Sequence, residues 1–285
     1  MKLHVFIQPS PYENPWKDAV LNAASSQGWR VTSLAEAGTA ADTDKCLLLS
    51  SEIEPILPDA ITVAIVAFED GPGFLKDIGF TEHDALRRSA HFLAYASEIA
   101  VQNGAVFDAS REVLALPYIG EVSRGATPSA PASRLNLDAL DIYRSLPPFV
   151  GAEASWEPYL FAYDSDRAVL KLGAQKEVDL TGRARLLIFG PQITLSPGLW
   201  KIHAHVLVDP EGSRSCLTVS WGNSKEQTTR TTEIATPGVY QISLYTDWKV
   251  SSEAELKIAS SRPHFRGSVK FLNASVSRHK SSSDK

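Results

Sequence analysis

The residues of this chain whose types and spacing could do chemistry fall into four groups. Asp164 and Asp166 form a D-x-D directly after the apolar run Tyr159–Tyr163, and Asp42 and Asp44 form a second one. Two carboxylates at that spacing offer hard oxygen ligands suited to Mg²⁺ or Mn²⁺, and the order Asp-Ser-Asp-Arg is also good turn chemistry. His203 and His205 form an H-x-H, with Gly198 before them and Glu211 after. Glu69-Asp70-Gly71-Pro72-Gly73 follows the apolar run Ile61–Ala67. A Gly-bearing loop at the carboxyl end of a buried strand is where α/β sheets place ligands. Its two acids would repel phosphate unless a metal intervened. Finally, Trp221 precedes Gly222-Asn223, and Trp248 follows Asp247. Partly exposed rings there would stack on sugar C–H faces, while Asn223 and Asp247 bind hydroxyls.

Other constellations are absent from the sequence. It contains no G-x-G-x-x-G, no G-x-x-x-x-G-K-[ST] and no G-x-S-x-G. The loop Gln8-Pro9-Ser10-Pro11-Tyr12 is poor in N–H groups, the wrong equipment for cradling a pyrophosphate. Cys46 and Cys216 are far apart and are expected to be free thiols in a reducing compartment. His83 and His91 share a helical stretch with Arg87 and Arg88 and are expected to be exposed helix charges. A formal net charge of -5 argues against general nucleic-acid binding, which rests on phosphate neutralisation. No apolar run reaches the roughly 18 residues of a membrane span. The start, MKLHVFIQPSPYENPW, is broken by Pro9, Pro11, Glu13 and Pro15 too early for a signal peptide, so a cytoplasmic location is expected.

Two grammars position these residues. With 285 residues, about two domains are expected, at roughly 150 residues each. In the first half, short apolar runs alternate with helical patterns. Strands are expected at Leu3–Ile7, Trp29–Leu34, Cys46–Leu49, Ile61–Ala67 and Val106–Asp108. One helix is expected over Trp16–Gln27, with Asn14 as N-cap and Pro15 at its first position. Another is expected over Glu82–Asn103, capped by Thr81 with Asp84 in the capping-box position and ended by Gly104. This alternation predicts an α/β layer with a mainly parallel sheet.

From Gly120 to Ser133, small residues and Pro predict a loop or linker, followed by a short helix over Leu137–Ser145. Beyond Ser155 nine short strands are expected, separated by turns such as Ser196-Pro197-Gly198 and Thr236-Pro237-Gly238. That texture predicts an all-β sandwich of jelly-roll type. Along Leu199–Val208, Trp200, Ile202, Ala204, Val206 and Val208 point one way, and Lys201, His203 and His205 the other. The apolar set must face inward, which leaves both histidines facing solvent. The expected organisation is therefore an α/β domain over 1–150, a β-sandwich over 151–278 and a flexible tail over 279–285.

Some of these signatures resemble known families. Gly198, the H-x-H and Glu211 follow the order of the cupin metal motif, but at altered spacing and with the histidines on the wrong face. Asp164 and Asp166 resemble the metal-binding D-x-D of GT-A glycosyltransferases, which implies a Mn²⁺ or Mg²⁺ site for a sugar nucleotide. The strand–helix order of the first half resembles a Rossmann-like half-domain. Asp179-Leu-Thr-Gly-Arg183, Phe189-Gly-Pro191, Leu195-Ser-Pro-Gly-Leu-Trp200, Ala254-Glu-Leu256, Phe265-Arg-Gly267 and Phe271-Leu272 resemble jelly-roll domains of bacterial surface-polysaccharide proteins. In outline they are similar to carbohydrate-binding modules. That resemblance implies a carbohydrate- or protein-binding accessory role in polysaccharide biosynthesis, without a cofactor. The alternatives are a metal-dependent sugar-nucleotide transferase and a self-associating structural protein.

Overall fold

Continuous apolar runs bury both faces of a strand, and in the first half they do so as a parallel sheet. The computed structural model describes residues 1–33, 35–36, 45–125, 128–164, 168–170 and 176–280. The chain forms two units, 1–137 with 143–147, and 138–142 with 148–285. The first unit holds strands β1 (Lys2–Ile7), β2 (Arg30–Thr32), β3 (Cys46–Ser50), β4 (Ile61–Val66) and β5 (Ala105–Asp108). They pair in the order β2-β3-β1-β4-β5, all parallel. One face of β1 sends Leu3, Val5 and Ile7 into a core with Trp16, Val20 and Ala24 of helix α1 (Glu13–Ser26). On the other face Phe6 meets Tyr95 edge-on, with ring centroids 5.1 Å apart.

The helix ends show local chemistry at work. Helix α3 (Glu82–Val101) begins at Thr81, whose hydroxyl accepts from the Asp84 amide at 3.1 Å. Its exit differs from expectation. Asn103 takes the left-handed conformation (φ 65), while Gly104 is needed because a Cβ there would lie 2.6 Å from the Thr62 carbonyl. Helix α1 starts two residues earlier than Asn14 and Pro15 suggest, after Tyr12 and without a side-chain cap. Gly71-Pro72-Gly73, expected as a loop, opens a short helix, α2 (Gly71–Asp77). Gly73 permits close approach to the 131–133 backbone, whose Ala132 and Ser133 amides donate to the Asp77 carboxylate. The expected linker also begins later, because β6 (Val113–Leu116) and β7 (Gly120–Ser123) form an antiparallel hairpin. A 3-10 turn over Asp138–Tyr143 replaces the expected short α-helix.

In the second unit every strand pairing is antiparallel. One sheet runs β10 (Ala168–Leu170), β11 (Lys176–Asp179), β18 (Ser268–His279), β13 (Gly198–Asp209), β16 (Gly238–Trp248), with β8 (Glu153–Trp156) also on β18. The other runs β15 (Gln227–Ile234), β14 (Ser215–Gly222), β17 (Ser252–Ser260), β12 (Arg185–Leu195), β9 (Ala162–Tyr163). Their inner faces interlock as a β-sandwich. Phe161 and Phe271 rings approach to 4.3 Å, and Trp156 of the first sheet meets Trp221 of the second at 5.7 Å. Alternation sets the faces: Trp200, Ile202, Ala204, Val206 and Val208 are all buried, and their neighbours face out. Strand β18 continues through His279, where a tail was expected to begin; residues 281–285 lie outside the described residues. Among the described residues no helix is long and apolar enough to cross a membrane.

Candidate binding surfaces

The tryptophans expected at exposed strand ends are core residues instead. Trp221 and Trp248 are 0% and 1% exposed, and their rings meet edge-on at 5.2 Å. The Trp221 indole donates to the Trp200 carbonyl at 3.4 Å. Position at a strand end does not expose a ring when the facing sheet covers that end. The neighbouring polar residues serve the turns. Asn223 Oδ1 accepts from the Lys225 and Glu226 amides at 2.8 and 2.6 Å, and its amide nitrogen donates to Ser252. Asp247 pairs with Lys249.

Of the D-x-D only Asp164 lies among the described residues, and it sits in an ion pair. Asp164 accepts from Arg185 Nε, and the same guanidinium donates to the Asp179 carbonyl. Asp164 therefore anchors the start of β12. Asp166, Asp42 and Asp44 lie outside the described residues. Among the described residues, no three His, Cys, Asp or Glu side chains converge as a metal site.

His203 and His205 face outward on β13, as the pleat requires. His203 Nδ1 lies 2.7 Å from Ser243 Oγ, and His205 Nδ1 lies 2.8 Å from Asn273 Oδ1. Partial burial, and then the nearby Lys201 charge, hold the His203 imidazole below its usual range. On the same face Lys201 Nζ sits 5.1 Å from the centre of the Tyr245 ring.

The sequence reading missed the loop between β17 and β18. His264 is buried there and pairs through its backbone with Gly182, each N–H donating at 2.8 Å. Leu180 N–H donates to the Gly267 carbonyl at 2.8 Å. These bonds fix the loop from both sides, and Phe265 between them stands 94% exposed. Beside it lies a cleft of about 310 Å³, lined by Glu177, Asp179, Thr181, Glu211, Arg266 and Ser268. Thr181 ties cleft to loop, its hydroxyl donating to the Phe265 carbonyl at 3.5 Å. Three carboxylates and one guanidinium give this cleft acceptors in excess; Phe265 does not line it but adjoins it in the chain, next to Arg266. The signal in the sequence was Phe265-Arg-Gly267, a large apolar residue inside turn chemistry.

In the first unit, Glu69 and Asp70 line a second cleft, of about 440 Å³, beyond the carboxyl ends of β4 and β5. Gly71 and Gly73, expected beside a ligand, touch protein instead. A Cβ on Gly71 would lie 2.5 Å from Gln8 Nε2, and one on Gly73 would lie 2.3 Å from the Ser133 carbonyl. The Tyr12 hydroxyl donates to Asp70 at 2.5 Å, and Arg144 pairs with Glu69 at 3.5 Å. Burial, then the bond to Asp70, pushes the Tyr12 phenol up to about 12. Tyr12 is thus a neutral donor at any working pH.

Comparisons with known proteins add the following. No protein-family model matches the chain, and no curated protein matches it. Among solved structures it is similar to the CBM36-1 domain of a multidomain xylanase from the hindgut metagenome of Trinervitermes trinervoides, at 7% identity and TM-score 0.33, over 45% of this chain and 99% of that one. It is similar to TmCBM61 in complex with β-1,4-galactotriose at 10% identity and TM-score 0.30, over 42% of this chain and 87% of that one. It is also similar to the C-terminal CBM6 of LamC from Zobellia galactanivorans at 14% identity and TM-score 0.30, over 44% and 99%.

Proposed function

We propose that the second unit is a carbohydrate-binding module that takes neutral oligosaccharides at the Phe265 cleft. The observation that carries this reading is a 94% exposed phenylalanine held on a doubly anchored loop beside a polar cleft. A sugar presents an apolar C–H face and a rim of hydroxyl donors. Phe265 suits the face, and Glu177, Asp179 and Glu211 suit the rim. Arg266 can donate to a ring or hydroxyl oxygen. The excess of carboxylates disfavours acidic sugars. No metal is required, because hydroxyls bind the carboxylates directly. The broader role is an accessory component of bacterial polysaccharide biosynthesis. Its support is the likeness of Asp179–Arg183, Leu195–Trp200 and Phe265–Gly267 to domains of that setting.

The test is isothermal titration of the full chain with neutral and acidic oligosaccharides. A neutral glycan should bind, and Phe265→Ala should weaken it by about tenfold or more while leaving the unfolding transition in place. Unchanged affinity in Phe265→Ala, or no binding by any neutral glycan, overturns the proposal.

A further inference from the structure

The sheet of the first unit carries a second cleft that the oligosaccharide reading does not use. Its location follows from topology. From β1 the chain crosses to β2 and β3 on one side, then returns past β1 to β4 and β5 on the other. The connections diverge between β1 and β4, and open parallel sheets leave a crevice outside the carboxyl ends there. The 440 Å³ cleft lies in that place: Tyr12 lines it from the loop after β1, Glu69 and Asp70 from the loop after β4, and Asp108 and Arg111 from the end of β5.

The groups around it are unevenly engaged. Glu69 is paired with Arg144, Asp70 accepts from Tyr12, and Asp108 accepts from the Ser110 amide at 2.9 Å. Each carboxylate, with about four acceptor positions, keeps capacity for a hydroxyl donor. Arg111 is exposed, and its guanidinium has no hydrogen bond or ion pair among the described residues. Arg124 adds an independent observation. It is 6% exposed, and among the described residues its Nε has no partner and its one side-chain hydrogen bond goes to the Ala109 carbonyl. Its guanidinium lies 4.7 Å from the centre of the Tyr12 ring, and no carboxylate pairs with it among the described residues. Buried charges are ordinarily paired. Here a buried cation backs the tyrosine that lines the cleft, and a free cation stands at the cleft itself.

We infer that this cleft binds a monosaccharide carrying one anionic group, a phosphate or a carboxylate. Arg144 offsets Glu69, and Arg111 and Arg124 offset Asp70 and Asp108, so the repulsion expected from the acids of this loop is balanced without a metal. Arg111 takes the anion, Arg124 supports it through the field across Tyr12, and Asp70 and Asp108 accept sugar hydroxyls. A pyrophosphate is excluded from this class. Pro9 and Pro11 leave the loop after β1 short of N–H donors, and α2 is too short a helix to serve as a dipole site. The inference stands apart from the Phe265 site, because the two clefts belong to different units.

The experiment is titration of the full chain, followed by calorimetry and by amide NMR shifts, with glucose 6-phosphate, glucuronate, glucose and inorganic phosphate. One of the two anionic sugars should bind, and the arm that responds identifies the anion. Arg111→Ala should weaken it about tenfold, the loss expected for one charged hydrogen bond. Arg230→Ala, an exposed arginine on β15 with the same charge change, should leave it unaltered. Asp70→Asn should weaken the sugar but not raise affinity for inorganic phosphate to match. Silence from both anionic sugars overturns the inference. So does glucose or phosphate alone binding as tightly as the anionic sugar, or Arg111→Ala binding as well as the parent.

Discussion

The hydroxyl of Tyr12 donates to a carboxylate oxygen of Asp70 at 2.5 Å, tying the loop after β1 to the loop after β4 across the point where the connections of the sheet diverge. A hydrogen bond to a charged acceptor contributes more than a neutral one, so Tyr12→Phe should cost about 1.5 kcal/mol. Urea unfolding of the full chain measures it. An unchanged midpoint would mean that the two loops are held by other contacts.

The aromatic residues of the sandwich should divide sharply. Phe265→Ala removes a ring that touches almost nothing, and stability should stay within about 0.5 kcal/mol. Trp221→Ala opens the centre of a three-tryptophan cluster and should cost about 4 kcal/mol. Thermal unfolding and glycan titration on both variants separate binding from folding. A stable Trp221→Ala that loses glycan selectively would return that ring to the site.

His4 supplies a pH dependence. It is fully buried on β1, 3.0 Å from Ser50 Oγ, and burial lowers its imidazole from 6.5 to about 4. The unfolded chain therefore takes up a proton as pH falls through 6.5, and the folded chain does so only near 4. Stability is full above 6.5 and is lost as pH falls between the two values. The loss amounts to about 3 kcal/mol for this group. His4→Asn should flatten the pH dependence of the urea midpoint between pH 7 and pH 4. A parallel curve for the variant would assign the acid sensitivity to other groups.

Gly73→Ala tests the packing of α2. The added Cβ would meet a backbone carbonyl at 2.3 Å, which cannot move aside as a side chain could. The expected cost is about 2 kcal/mol. A variant as stable as the parent would show that the 131–133 segment yields.

Much of the architecture is written in local pattern. The unbroken apolar runs Cys46–Leu49 and Ile61–Ala67, short and bounded by turn residues, read as strands covered on both faces. Thr81 and Asp84 fixed the entry to α3, because a cap is satisfied within four residues. The alternation from Trp200 to Val208 decided that His203 and His205 face outward, since a pleat offers two sides and one of them was wholly apolar. Tertiary structure alone decided the rest. Whether Trp221 is bare or buried depends on the sheet that faces it, which brings Trp248 and Trp156 from distant parts of the chain. Asp164 has its partner 21 residues on in Arg185. Gly71–Asp77 carries two glycines and a proline, poor helix formers in isolation, and takes helical form where close packing on the 131–133 backbone favours it. Phe265 reads locally as one apolar residue in a turn. Only the pairing of His264 with Gly182, and of Leu180 with Gly267, holds that turn in place and leaves the ring in solvent.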